Sequence, residues 1–303
     1  MGPTASGKTR LAIELVQQLP CDIISVDSAM VYRGMDIGTA KPTSAELAIA
    51  PHRLIDIVDP AYPYSAGQFC VDATAAIEDS LKQQRIPLLV GGTMLYFRSL
   101  QQGLSPLPSA DNTIRQQLTA QAEQIGWEGL HQRLAQIDPA AAARIQPQDA
   151  QRIQRALEIY QLTGMSPTAF YQQAQAQKPA YRFINVGLMI EDREHLHQQI
   201  ALRFINMLEQ GFINEVANLK ARGDLHADLP SMRSVGYRQV WEYLAGQCNK
   251  DEMQEQAITA TRQLAKRQLT WLRSWPEIQY FSAQQHNIQQ LVKDYFSTAL
   301  EDI

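Results

Sequence analysis

The sequence predicts an α/β fold: a parallel sheet flanked by helices, with an all-helical domain inserted into it. Three observations carry this prediction. A glycine-rich phosphate-loop pattern opens the chain at Gly2–Thr9. Short apolar runs then alternate with amphipathic helical patterns over the first hundred residues. From about 104 to 180 the chain is rich in Gln and Ala and shows no strand pattern. The expected domains are therefore 1–103 with 181–303, an α/β core with a helical C-terminal part, and 104–180, a helical insertion.

The elements follow in order. Gly2-Pro3-Thr4-Ala5-Ser6-Gly7-Lys8-Thr9 matches G-x-x-x-x-G-K-[ST] in full. Its glycines let backbone N–H groups curl around phosphate oxygens, Lys8 adds a point charge, and the Thr9 hydroxyl is suited to Mg²⁺. The helix that follows, with Leu11, Leu15 and Leu19 spaced by four, points its positive end at the anion. This pattern makes the sheet P-loop NTPase-like. A P-loop is normally fed by a buried strand, and here only Met1 precedes it; either upstream residues or another segment is expected to fill that place. Asp22 to Val26 reads as a buried strand ending at Asp27-Ser28. Arg85 to Thr93 repeats the idea, and Phe183 to Ile190 is a third strand-like run. Chemistry in such sheets gathers past the carboxyl ends of the strands, where Asp27 and Thr93 lie. In the insertion, helices are expected at 111–125, 127–136 and 149–161, punctuated by Pro106, Pro108, Pro139, Pro147 and Pro167. After residue 190 the chain reads as mainly helical.

Composition excludes several classes. With 303 residues the chain has room for about two domains. Hydrophobic residues at 45% and charged residues at 19% allow a buried core and exclude global disorder. No run of about 18 apolar residues exists, so no membrane span is expected. The opening residues carry no secretory signal. Cys21, Cys70 and Cys248 are far apart, which excludes a disulfide framework and a CxxC zinc site and fits a reducing cytoplasm. A net charge of −4 argues against coating by nucleic acid but allows a local basic patch.

The P-loop alone leaves a small-molecule kinase and a diphosphate-using transferase level. Asp27 and Asp56 are both candidates for a strand-end metal-holding carboxylate. Arg203 says more. It lies three residues after Ile200 and four before Met207, on the apolar face of a helix over 193–209. A charge there requires an anionic partner, either a buried carboxylate or a bound phosphate. Arg262, Lys266 and Arg273 share one helical face, while Ile258, Ala265, Leu269 and Leu272 form the adjoining core stripe. Arg267, Trp271 and Trp275 flank the basic face. With Arg233, Tyr237 and Arg238 upstream, and Arg152 and Arg155 in the insertion, this mixture of cations and rings points to RNA. His195 and His197 are two apart and do not share a helix face, so they do not suggest a metal site.

Taken together these residues resemble the bacterial tRNA dimethylallyltransferase (tRNA isopentenyltransferase) family. The resemblance rests on Gly2–Thr9, Ser25–Tyr32, Gly34–Pro42, Pro51–Leu54, Leu89–Tyr96, Ser234–Gln239 and Thr261–Arg273, in order over nearly the whole chain. No zinc-finger pattern follows, as in the bacterial form. The resemblance implies transfer of a dimethylallyl group from dimethylallyl diphosphate to N6 of adenine 37 in tRNAs reading codons that begin with U. The products are N6-dimethylallyladenosine and diphosphate. It implies Mg²⁺ held near Thr9, a P-loop that binds the diphosphate, and Lys8 and Arg203 stabilising its departure. Asp27 is implied as general base, with Thr4 near the reacting centre. It also implies tRNA anticodon-loop contacts at Asp27, Ser28, Ala29 and Met30, at Thr93 and Arg115, and at Gln151, Arg152, Ile153, Gln154 and Arg155. Further contacts are implied at Arg233, Ser234, Val235, Gly236, Tyr237 and Arg238, and at Lys266, Arg267, Gln268, Leu269, Thr270, Trp271, Leu272 and Arg273. The helical insertion is expected to clasp the loop. A cytoplasmic monomer without membrane partners is expected. The rivals are a small-molecule kinase, prenyl transfer to free AMP, and a non-catalytic RNA-binding module.

Overall fold

The computed structural model describes residues 1–103, 108–173 and 179–301. Pro106, expected to punctuate the insertion, lies outside them. The chain divides into two compact units, Met1–Leu100 with Tyr181–Ile303 and Gln101–Ala180.

In the first unit α1 (Lys8–Val16) leaves the P-loop and buries Leu11, Ala12 and Leu15. Strand β1 (Cys21–Val26) is buried almost throughout. It pairs in parallel with β2 (His52–Arg53) on one side and β3 (Ile86–Gly91) on the other. Val26 lies opposite Gly91, where a Cβ would fall 2.0 Å from the Val26 carbonyl oxygen. Glycine therefore lets β3 close against the end of β1, which brings the turns after both strands together. Helices α2 (Ser44–Ile49), α3 (Ala66–Lys82) and α4 (Met94–Gln102) complete this half. The first is entered by a Thr43–Glu46 capping box and the second by a Ser65 cap.

The third expected strand departs from the single-sheet expectation. Strand β4 (Asn185–Met189) pairs in parallel with β5 (Ile278–Ser282), not with the first sheet. The β5 run is five residues long and lies between helical stretches, so periodicity reads through it. Met1 lies against β4: its amino group donates to the Val186 carbonyl at 2.7 Å, and the Leu188 N–H donates to its carbonyl at 2.8 Å. That one residue, held to β4, leads into the P-loop.

The second unit contains α5 (Asn112–Ile137), α6 (Pro139–Ala142), α7 (Ala150–Thr163) and α8 (Pro167–Gln173). Gly126 breaks α5 with φ 73 and ψ 163, so two helical segments run where 111–125 and 127–136 were expected. Asp111, Asp138 and Asp149 cap helix starts, each accepting a backbone N–H. Leu118, Leu130, Leu134, Ile153 and Leu157 form the core. Each such buried side chain contributes about 1.5–3 kcal/mol.

The remaining helices return to the first unit: α9 (Arg193–Glu209), α10 (Phe212–Ala221), α11 (Tyr237–Leu244), α12 (Lys250–Arg273) and α13 (Ile288–Glu301). Helix α12 buries Met253, Ala257, Ala265, Gln268, Leu269 and Leu272, while Ile258 is only half-buried. Among the described residues no helix is long and apolar enough to cross a membrane.

Candidate active site

The P-loop is shaped by positions that only small or reversed residues satisfy. A Cβ on Gly2 would meet the Ser6 Oγ at 2.8 Å and the Leu188 Cβ at 3.2 Å. Ala5 and Gly7 both have positive φ, 62 and 76, which bends the chain into a concave run of N–H groups at the start of α1. Lys8 folds back over this loop. Its Nζ donates to the Pro3 carbonyl at 2.5 Å and to the Ser6 Oγ at 3.5 Å.

Two cations meet here without an ion pair. Desolvation, and after it the nearby Arg203 charge, lower the Lys8 pKa from 10.5 to about 7, with Asp27 acting in the opposite sense. Burial also lowers the Arg203 pKa, again opposed by Asp27. Arg203 donates to the Thr39 carbonyl at 3.4 Å, and neither cation has a salt-bridge partner among the described residues. Of the two partners open to Arg203, the buried carboxylate is therefore not the one found. Two half-buried basic groups facing one space form a site that an anion completes.

Across that space, Asp27 follows β1. Its Oδ1 accepts the N–H groups of Ala29 (2.8 Å) and Met30 (3.2 Å), and Oδ2 has no hydrogen-bond partner among the described residues. Thr93, after β3, joins it. Its N–H donates to the Val26 carbonyl, its Oγ1 accepts the Ser28 N–H at 3.0 Å, and the same hydroxyl donates to the Ser28 Oγ at 3.3 Å. Thr4, Lys8, Thr9, Asp27, Ser28, Thr93 and Arg203 line one cavity of about 600 Å³, with apolar walls from Met30, Tyr32, Tyr64, Met94, Phe204 and Met207. That size suits a small-molecule ligand. Asp56, the other carboxylate candidate, instead sits in a positive-φ turn and pairs with Lys41 at 2.5 Å.

The residues expected at RNA divide by exposure. Gln151, Arg152, Arg233, Arg238, Lys266, Arg267, Thr270 and Arg273 are exposed. Arg152 pairs with Asp149 and Arg238 with Glu242. Trp271 is half-buried under the Arg98 guanidinium, 5.7 Å from its ring centre. Arg233, Ser234, Val235, Gly236, Tyr237, Arg267, Gln268 and Trp271 also line the cavity. Arg115 and Arg155 converge on Glu158, which is fully buried, at 2.8 and 2.5 Å. Gln154 donates to the Arg115 carbonyl and to Thr119. Ile153, Leu269 and Leu272 need correction. Their side chains are in the cores of their units, so the expectation of RNA contact does not extend to them. Tyr237 is fully buried and donates to Glu215 at 2.5 Å. Arg262 is half-buried, so the basic face of α12 is narrower than its spacing suggests.

Two site contacts escaped the sequence reading: Glu215 altogether, and the P-loop role of Gln268, which the resemblance placed at RNA. Gln268 accepts the Thr4 N–H at 2.8 Å and donates to the Gly92 carbonyl at 2.9 Å. Glu215 accepts the N–H groups of Asp36, Ile37 and Gly38 as well as the Tyr237 hydroxyl, so it holds the 34–42 loop against the 236–237 turn. No sequence spacing links residue 215 to residue 36. The only signal was the Gly34–Pro42 motif itself, which had no assigned partner.

Comparison with known proteins gives this geometry a relationship. Residues 30–275 match the IPP transferase family model. The chain is 36% identical to the full-length tRNA isopentenylpyrophosphate transferase of Bacillus halodurans, with a TM-score of 0.73, covering 99% of this chain and 95% of that one. It is 32% identical to the tRNA Δ(2)-isopentenylpyrophosphate transferase of Staphylococcus epidermidis, with a TM-score of 0.70, covering 100% and 97%. A eukaryotic dimethylallyltransferase acting on tRNA matches at 26% identity and a TM-score of 0.82, covering 98% of this chain and 78% of that one. On the family match and these identities, the chain belongs to the IPP transferase family.

Proposed function

We propose that the protein transfers a dimethylallyl group from dimethylallyl diphosphate to N6 of adenine 37 in tRNAs reading codons that begin with U. One observation carries the reading: Lys8 and Arg203, half-buried and without an ion pair among the described residues, share a cavity with an Asp27 carboxylate that keeps one oxygen free.

In this reaction the adenine amine attacks C1 of the allyl group, and the C–O bond to diphosphate breaks with its electron pair leaving on oxygen. Negative charge then grows beside the P-loop amides, Lys8 and Arg203, where preorganised positive groups stabilise it most. Asp27 Oδ2 accepts the N6 proton as the new C–N bond forms. The adenine leaves the anticodon-loop stack to reach this carboxylate. Thr4 lies in the same loop, beside the departing group. The donor set suits Mg²⁺ bound mainly by the substrate. No cluster of three or more His, Cys, Asp or Glu occurs among the described residues, and Mg²⁺ commonly takes phosphate oxygens and water with few protein ligands. With Thr9 as the hydroxyl ligand, the ion when bound supplies further neutralisation of the leaving diphosphate.

The exposed Gln151 and Arg152, the 233–238 segment and the exposed positions of α12 supply RNA contacts of mixed cationic and stacking character. The family's activity on tRNA supports a cytoplasmic enzyme. Incubation with radiolabelled dimethylallyl diphosphate and unmodified tRNA, with ATP and AMP as controls, tests the assignment. Label in tRNA alone is expected. ADP release without RNA would support a kinase, label in AMP a free-nucleotide prenyltransferase, and RNA binding without label a non-catalytic module.

A further inference from the structure

Three elements meet at one amide. Gln268, on α12, is 9% exposed, while its neighbours Lys266, Arg267 and Thr270 are exposed. Its Oε1 accepts the N–H of Thr4 in the P-loop at 2.8 Å, and its Nε2 donates to the carbonyl of Gly92, just after β3, at 2.9 Å. Gly92 makes room for it: a Cβ there would lie 2.4 Å from Nε2 and 3.3 Å from the Gly2 carbonyl oxygen. Only an amide joins these two partners, because one asks for an acceptor and the other for a donor. A carboxylate would set oxygen against the Gly92 carbonyl, and a thioether would leave both backbone groups without a partner. The Thr4 N–H is thereby committed to the protein. The N–H groups after it remain for phosphate.

We infer that Gln268 is a positioning residue for the donor diphosphate: it locks the P-loop to the turn that carries Thr93, and it does not read RNA. The inference rests on the reading of the P-loop as the diphosphate site. It also separates two jobs on one helix, with exposed positions facing a polyanion and an inward amide setting the shape of the donor site.

Gln268→Met and Gln268→Glu are compared with the unaltered protein in transfer to an anticodon stem-loop. Inorganic pyrophosphate serves as inhibitor, and the stem-loop Kd is measured separately without donor. In Gln268→Met the pyrophosphate Ki and the KM for dimethylallyl diphosphate rise about tenfold, while the stem-loop Kd stays within about twofold. Gln268→Glu keeps the acceptor for Thr4 and shows a smaller rise. Gly92→Ala, whose methyl group displaces the amide, reproduces the rise with residue 268 intact. Should Gln268→Met fail to fold, the other two variants carry the same reading. A Ki that does not move, or a stem-loop Kd that rises as much as the Ki, overturns the inference. Absence of transfer by the unaltered protein would instead defeat the proposed function.

Discussion

Arg203 in the α/β unit and Arg155 in the helical unit are both helix-borne arginines drawn inward, yet their charges are treated in opposite ways. Arg155 and Arg115 share the buried Glu158 carboxylate, whose pKa is held below the usual range by these two partners despite its desolvation. Among the described residues Arg203 has only the Thr39 carbonyl as a hydrogen-bond partner, and it stands beside a second half-buried cation, Lys8. The helical unit thus closes its electrostatics internally and is built to hold its own shape. The α/β unit leaves a charge demand that a ligand must meet, a strain commonly kept at functional sites.

The largest expected effect tests the carboxylate whose charge reaches both cavity cations. Asp27→Ala should lower kcat by about 10²–10⁴-fold, the span for a lost general base, with pyrophosphate inhibition nearly intact. Steady-state kinetics decide it, and unchanged turnover removes Asp27 from the mechanism. The next effect separates the two arginine sites directly. Arg203→Met should raise the pyrophosphate Ki by about 10–100-fold without lowering the melting temperature of the ligand-free protein. Glu158→Gln should leave that Ki alone and lower stability by about 1–3 kcal/mol in denaturant titration. The reverse pattern would erase the distinction.

A smaller effect concerns Lys8. In the free protein its pKa is about 7 against an ordinary 10.5, so the folded state is disfavoured most below pH 7, and this penalty fades as pH rises from 7 to 10.5. Bound diphosphate restores the charge. At pH 8 binding should take up about one proton, read by calorimetry in buffers of different ionisation enthalpy. Lys8→Met should abolish the uptake. Its persistence in that variant would assign the proton elsewhere. The smallest effect is on the exposed surface. Lys266→Ala should weaken tRNA binding and reduce the salt slope by about one, and an unchanged slope would place Lys266 off the RNA path.

What was legible in the sequence was local. The P-loop is eight contiguous residues with a mechanism of their own, and Asp27 and Thr93 could be placed because each follows an apolar run. Arg203 could be singled out because its helix spacing puts it on the apolar face. The contiguous stretch 266–273 shows where locality misleads. Helical periodicity already assigned Leu269 and Leu272 to the core, while the family resemblance carried them to RNA as part of a block; the structure follows the periodicity. Strand β5 was missed because five residues between helices leave no period to read, and its partner, β4, lies about ninety residues away.

The sequence by itself determined the anion-binding loop, the helical character of the insertion and the identity of the groups able to do chemistry, because each depends on neighbours within a turn or a strand. Only the tertiary structure decided that Arg203 would have no carboxylate paired to it among the described residues, that Glu158 would claim two arginines, and that Gln268 would reach 264 residues back to Thr4. Those outcomes depend on which buried polar groups remain to be satisfied once the chain has packed, and that is a property of the whole core rather than of any segment.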